Sequence, residues 1–310
     1  MISSFEAPSH EVLDRMSPSD LVKLTRLMKL TSGKPETVVG LIDGPVMISH
    51  PYLATENIRE IGGTVCGTCA RVSSLACMHG TFLAGILCGR RGAAIPAICP
   101  GCTLLVRPIF DETVVDNDRM PSASPKELAA AIIESIDAGA SVINLSVGLD
   151  QASSRDERLI EQAFDHAAKS GVIVVAATGN RGLVGSSPIT RHPWVIPVTA
   201  CDLSGRPTGY SNLGKSIGTR GLRAPGDGIS SIETDGKRGS FGGTSVAAPF
   251  VTGAIALLWS IFPTATATEL RAVLTQPHRL RRPTVVPPLL DAWAAYELLA
   301  RAYAINLTDA

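Results

Sequence analysis

From Thr37 onward the sequence alternates short β-branched apolar runs with longer stretches of helical periodicity. That alternation predicts a doubly wound α/β fold, a mostly parallel sheet with helices on both faces. The candidate strands are TVVGLID (37–43), TLLVRPIF (103–110), SVINLSVG (141–148), GVIVVAATGN (171–180) and WVIPVTA (194–200). Between them, SPKELAAAIIESIDAGA opens with Ser124 as cap, Pro125 at the first helical position and Glu127 three residues on, the pattern of a capping box, and it closes at Gly139. SSRDERLIEQAFDHAAKSG repeats this grammar from Ser154 to Gly171 and places Leu159, Ile160, Ala163, Phe164 and Ala167 on one apolar face. With 310 residues and 45% hydrophobic content, the chain can bury a large core. Residues 1–36 are expected to be a helical N-terminal extension, too short for a core of its own. Residues 37–310 are expected to form one domain that includes two C-terminal helices, TATATELRAVLTQ and LLDAWAAYELLARAYA, joined by a basic Pro-rich link.

Charge excludes some partners. The 28 Lys and Arg balance the 28 Asp and Glu, and no long run of one sign occurs, so neither nucleic acid nor an anionic membrane is implied. The N-terminus is amphipathic without the continuous apolar core of a signal peptide, and no apolar run is expected to span a membrane, because polar, Gly or Pro residues interrupt each one. The expected location is therefore cytoplasmic, with most of the seven cysteines reduced. Cys66-x-x-Cys69 and Cys99-x-x-Cys102 have a spacing compatible with a four-thiolate zinc site, and free thiols or a disulfide within or between the pairs are the alternatives. Cys77 and Cys88 flank a helix as expected core thiols.

Four residues stand where chemistry assembles in such folds. Asp43 ends an apolar strand ahead of Gly44-Pro45, at the carboxyl edge where ligand crevices form, although Asp before Gly is also a common turn. His79 precedes Gly80-Thr81 and the apolar spacing Phe82, Leu83, Ile86, Leu87, which places it in the first turn of a helix. His10, His50, His166, His192 and His278 compete for any histidine role, but none has a Gly-Thr helix start behind it. Asn180 closes VVAATGN and is either a turn residue or an amide donor facing the crevice. Finally, SFGGTSVAAPFVTGAIALLW (240–259) runs a glycine pair and two hydroxyl residues into an apolar helix. Thr244 and Ser245 there read as caps, and the same unpaired N–H groups also suit a serine nucleophile with a developing oxyanion beside it.

In chain order, LID ending at Asp43, HGT at 79–81, INLSVG at 143–148, ATGN at 177–180 and GTSVAAPFVTG at 243–253 make the sequence resemble the subtilisin-like serine proteases, from about Val38 to Ile261. The resemblance implies that Ser245 attacks a peptide carbonyl, His79 shuttles its proton, Asp43 orients the imidazole, and Asn180 with the Ser245 N–H holds the oxyanion. It further implies that Ser146, Val147 and Gly148 pair with an extended substrate, while Ala177, Thr178 and Gly179 line the primary specificity pocket. Val147 stands where relatives often carry Leu. The stretch AICPGCTLLV resembles a segment preceding a core strand in the family, which gives Cys102 a packing role. No cofactor is implied and no calcium loop is recognisable. Secreted relatives carry a folded pro-segment, whereas 42 residues precede Asp43 here, so folding without a detachable segment is expected.

The Asp-Gly-Pro-Val form at 43–46, with HGTFLAGILCG, LLVRPIF and LRAPGDGI, is similar to the intracellular subtilases that mature cyanobactins and related ribosomal peptides. Macrocyclising members of that group insert extra helical structure between the Asp and His blocks. Here His79 follows Asp43 by 36 positions, which leaves no room for it. The resemblance therefore implies a peptide partner and hydrolytic leader removal. The alternatives are a general intracellular subtilase or a peptide-binding protein that does not cut.

Overall fold

The structure is a computed structural model that describes residues 17–63, 69–92, 95–110, 112, 123–147, 154–275 and 284–308. Seven parallel strands form the main sheet in the order β2-β3-β1-β4-β5-β6-β7. These are β1 Val38–Asp43, β2 Ile58–Glu60, β3 Thr103–Pro108, β4 Val142–Leu145, β5 Ile173–Ala177, β6 Val195–Cys201 and β7 Leu222–Pro225. The chain works outward from β1 on one side through β3 and then crosses to β4 on the other. This is a topological switch point, where open α/β sheets leave a crevice beyond their carboxyl ends. A separate antiparallel hairpin, β8 Ile229–Ile232 with β9 Arg238–Phe241, leads directly to the apolar helix.

The period-two alternation of the strands sorts their side chains onto two faces. Val39, Leu41, Val142, Ile173, Val175, Ile196 and Val198 face one core, with helices α3 (Leu75–Cys88) and α8 (Thr244–Ile261). Ile42, Ile143, Leu145, Val174, Ala176 and Val195 face the other, against α4 (Pro125–Asp137) and α5 (Ser154–Lys169). The amphipathic face expected of α5 is buried through Ile160, Ala163, Phe164 and Ala167. Short helices α6 (Pro188–Arg191) and α7 (Lys215–Arg220) flank β6 and β7, and α9 (Ala267–Thr275) and α10 (Ala292–Thr308) close the chain. Ahead of β1, α1 (Pro18–Leu21) and α2 (Leu24–Leu30) bury Leu24 and Leu27 in the same core as α8. The described part of the N-terminal extension is thus packed in place, and the Ala292 N–H donates to the Val22 carbonyl to tie it to α10.

Three local expectations are corrected. Ser124 caps α4 through the Glu127 N–H, but the Glu127 carboxylate goes to the buried Arg107 guanidinium at 2.8 Å instead of completing a capping box. A reciprocal box forms at Thr266 and Glu269. Helix α3 starts four residues earlier than its Gly-Thr pair suggests, because the Ser74 hydroxyl caps the Cys77 N–H, so His79 lies in the second turn. Helix α8 is long and apolar enough to cross a membrane by those two measures, contrary to expectation, and its span is 89% buried inside the fold.

Helix α3 crosses the end of β1 with backbone nearly touching backbone. A Cβ at Gly44 would collide with the Ala76 carbonyl, and one at Gly80 would lie 2.5 Å from the Gly44 and Pro45 carbonyl oxygens. In Gly80→Ala the intrinsic gain in helix propensity, about 1 kcal/mol, is expected to be outweighed by overpacking against rigid backbone, leaving a net loss of about 1–3 kcal/mol. The midpoint of calorimetric melting should fall by roughly 2–4 °C per kcal/mol. Gly185→Ala, which would add a methyl in open space, should leave the midpoint unchanged.

Candidate active site

The close approach of β1 and α3 sets the first pair of side chains. Asp43, the last residue of β1, is fully buried, and its Oδ1 accepts from His79 Nδ1 at 2.8 Å and from the Gly44 N–H at 2.6 Å. His79 Nε2 lies 3.0 Å from Ser245 Oγ. Burial works against a charged imidazole, but the Asp43 carboxylate and its hydrogen bond outweigh that effect and hold the His79 pKa above its ordinary value. Phe241, at the end of β9, sets its ring at right angles to both His79 and Phe82, walling the imidazole on its apolar side. With Nδ1 hydrogen-bonded to a carboxylate, Nε2 is the atom that can accept the Ser245 proton.

Ser245 is the second residue of α8, where no preceding turn supplies a carbonyl for its N–H. Gly243 precedes the helix at φ 141°, in the region that favours glycine. A Cβ there would lie 3.0 Å from Asn180 Nδ2 and 3.4 Å from Ser245 Oγ, so its absence leaves open the space those two atoms border. Asn180 is held by its other end, since Oδ1 accepts from the Thr244 N–H at 2.9 Å and the Thr244 hydroxyl at 3.0 Å. Two donors on one atom fix the amide and leave Nδ2 as a donor on the side of Ser245 Oγ. Neither Thr244 nor Ser245 is the cap expected of it, since Gly243 holds the N-cap position and no side chain caps the helix; the Thr244 hydroxyl instead orients Asn180 and accepts from the Gly179 N–H at 3.0 Å.

Pro249 stands four residues after Ser245 inside α8 and has no N–H to give the Ser245 carbonyl. The Ser146 hydroxyl donates to that carbonyl at 3.4 Å, while accepting from Asn144 Nδ2 at 2.8 Å. Asn144 Oδ1 in turn accepts from the Thr252 hydroxyl at 2.9 Å. This buried chain ties the end of β4 to the helix that carries Ser245, and sequence inspection missed Asn144 and Thr252. The signal was a proline one helical turn past the serine.

Ser146 therefore turns its hydroxyl inward, and the Val147 side chain is buried in the α4–α5 core. Gly148 lies outside the described residues. Ala177 ends β5 beside Thr178 and Gly179. The Thr178 N–H and both residues' carbonyls are engaged by Val198 and Asn212, so only the walls of these residues are left to face a ligand. Of the competing histidines, His50 bonds the Glu233 carbonyl, His192 meets Asp165, and His166 lies 4.0 Å from Asp137, whereas His10 and His278 lie outside the described residues.

The cysteines depart from expectation. Cys77 is no free core thiol: it is disulfide-bonded to Cys69. Cys88, Cys99, Cys102 and Cys201 are free and buried, and Cys66 lies outside the described residues. Among the described residues, Cys69 does not meet Cys99 and Cys102 as a zinc site spanning the two CxxC pairs would require. Cys77 opens α3 and Cys99 packs by Cys88 at its far end, and eleven residues of helix at about 1.5 Å each keep them apart. Among the described residues, one group has three potential metal ligands close together, Cys69, Cys77 and Glu112. The two sulfurs are bonded to each other, and the Glu112 oxygens are occupied by the Ala70 and Arg71 N–H groups and the Ser74 hydroxyl.

Thr252→Val keeps the volume and removes the donor that fixes the Asn144 amide. The reaction of Ser245 with an organophosphorus probe is expected to slow about tenfold, from the loss of one buried hydrogen bond, and Thr252→Ser should restore it.

The sequence profile of the subtilase family matches residues 34–285. Subtilisin amylosacchariticus of Bacillus subtilis subsp. amylosacchariticus is 29% identical over 238 residues, which cover 75% of this chain and 58% of that protein. The chain thus spans little more than half the length of the first curated relatives it matches. Among solved structures, a serine-to-alanine mutant of the protease domain of PatA superposes with a TM-score of 0.76 at 29% identity, covering 87% of this chain and 97% of that one. The prenylagaramide maturation protease PagA superposes at 0.74 and 27% identity, covering 88% and 98%. Profile, sheet order and neighbours agree, and the chain belongs to the subtilase family.

Proposed function

We propose that this protein is a serine endopeptidase in which Ser245 is the nucleophile, His79 the general base and acid, and Asp43 the residue that orients and charge-balances the imidazole. The observation that carries this reading is the continuous buried chain Asp43 Oδ1, His79 Nδ1, His79 Nε2, Ser245 Oγ, at 2.8 and 3.0 Å. As Ser245 attacks the scissile carbonyl, its proton passes to His79 Nε2, and the Asp43 charge stabilises the imidazolium that forms. The oxyanion takes the space beside Gly243, where Asn180 Nδ2 and the Ser245 N–H donate to it in a site that needs no reorganisation. His79 then gives the proton to the leaving amine, and water repeats the cycle on the acyl-enzyme. The substrate backbone would run beside residues 146–148, with Ala177, Thr178 and Gly179 shaping the pocket for the acyl-side residue.

The substrate we infer is a ribosomally made precursor peptide, cleaved once to remove its leader. Two observations support it. PagA and PatA, at 27% and 30% identity, bear the names of maturation proteases for prenylagaramide and patellamide. Between Asp43 and His79 the described residues hold a three-residue 3₁₀ turn and the three-residue β2 before α3 opens. No inserted helix covers the acyl-enzyme among those residues, so water reaches it and hydrolysis prevails over attack by a peptide amine.

Ser245→Ala should abolish both fluorophosphonate labelling and cleavage, and labelling that survives the substitution would refute the assignment. Asn180→Ala should lower kcat by about 10²–10³ with little change in KM. Because only neutral His79 accepts the proton and its pKa is raised, kcat/KM should climb with pH through an ionisation above 6.5. Incubation with a leader-bearing precursor should yield one cut and a linear product. A macrocycle, or equal cleavage of unfolded casein, would overturn leader removal.

A further inference from the structure

We propose that the Cys69–Cys77 disulfide is a thiol–disulfide exchange site through which a dithiol reductant lowers the activity of the triad. The inference rests on the endopeptidase reading above. Cys77 is the third residue of α3, buried, and two residues ahead of His79. Cys69 lies on the preceding loop and is half-buried, whereas Cys77 is fully buried, which makes Cys69 the more open side of the bond to an incoming thiolate.

The bond fastens a loop that otherwise has few anchors. Glu112 clasps it through the Ala70 N–H at 2.8 Å, the Arg71 N–H at 3.1 Å and the Ser74 hydroxyl at 2.8 Å, and the Thr234 hydroxyl donates to the Val72 carbonyl. Ser74 is also the residue that caps α3. Both sulfurs lie about the Thr81 hydroxyl, at 3.9 and 4.0 Å, and that hydroxyl accepts from the Met47 N–H in the segment following Asp43. The cross-link, the first turn of α3 and the Asp43 segment are therefore one connected unit.

Exchange follows from the geometry. A thiolate of the reductant attacks Cys69 Sγ, the Cys69–Cys77 bond breaks, and Cys77 leaves as a thiolate. It is released in the first turn of α3, where helix N–H groups stabilise a thiolate and make it a better leaving group. The second thiol of the reductant then attacks the mixed disulfide and frees Cys69. The reductant is oxidised by two electrons to its disulfide, and its two protons end on Cys69 and Cys77. Loop 69–74 is then held by hydrogen bonds alone, and the turn that carries the Ser74 cap loosens one turn ahead of His79.

The test uses the full chain, oxidised or treated with dithiothreitol, with alkylation and peptide mapping to establish the state of Cys69 and Cys77. Reduction is expected to lower kcat/KM about tenfold or more, as misplacement of a catalytic group does, and reoxidation should restore it. Cys69→Ser, or Cys77→Ser if the first does not fold, should show the reduced-form rate and no response to dithiothreitol. Amide hydrogen exchange over residues 69–79 should quicken on reduction, a readout independent of cleavage. Unchanged rate and exchange with both thiols demonstrably free would overturn the proposal, as would a Cys69→Ser protein that still responds to the reductant. An oxidised protein that neither cleaves nor labels would instead refute the endopeptidase reading, and the exchange data would still judge the switch.

Discussion

Everything at the candidate active site depends on how near α3 comes to the end of β1. Gly44 and Gly80 remove the two Cβ atoms that would hold the backbones apart, and the Asp43 carboxylate and His79 ring meet at 2.8 Å as a result. A charge buried at the end of a strand is unfavourable by several kcal/mol unless it is paired and hydrogen-bonded. Asp43 has a local partner in the Gly44 N–H and gains His79 only from that approach. Its Oδ2 has no partner among the described residues, so Oδ1 carries both hydrogen bonds and the attachment to His79 is singular.

Helix α8 imposes the second constraint. It is apolar on all sides and threads the centre of the core, which fixes its position but gives its polar ends few neighbours. Two polar groups at its start are satisfied by residues of the sheet's carboxyl edge: the Thr244 N–H by Asn180, and the Ser245 carbonyl, released by Pro249, by Ser146. The same hydrogen bonds that prevent buried unsatisfied groups also aim Asn180 Nδ2 and hold the β4 end beside Ser245. Stability and site geometry share one network here, so polar substitutions far from Ser245, at Thr252 for example, reach the site through the Asn144 amide.

The thiols divide by environment. The hydrogen bond with Cys99, then burial, raises the Cys102 pKa; that same bond lowers the Cys99 pKa, but the hydrogen bond with Cys88 and burial outweigh it, so both thiols are inert packing groups, whereas Cys69, beside the helix that carries His79, is only half-buried. A disulfide at that position was not expected of a chain read as residing in a reducing compartment. Its location on the loop that caps α3 gives the bond a bearing on the imidazole that none of the other described cysteines has.

Local pattern placed β1, β3, β4, β5, β6, α4 and α5, because strands buried on both faces read as short β-branched apolar runs and the helices show capping residues and a 3.6-residue apolar repeat. Strand β7 escaped notice because Arg223 and Pro225 interrupt its apolar pattern, and β8–β9 because glycine and polar residues dominate it. Asp43, His79, Asn180 and Ser245 were legible as candidates because each stands at or near the end of a strand or the start of a helix, where side chains escape the core. Their partners were not. Asn144 and Thr252 read as ordinary strand and helix residues, Phe241 fell in the unread β8–β9 hairpin, and Cys69 with Cys77 competed against two tidy CxxC pairs. The sequence by itself determined the alternation of strand and helix, the apolar character of α8 and the residues able to carry chemistry, since these follow from local pattern and hydrophobicity. Tertiary structure decided which groups meet, because hydrogen bonds and a disulfide between segments tens of residues apart depend on angstrom-scale approach, which no local pattern encodes.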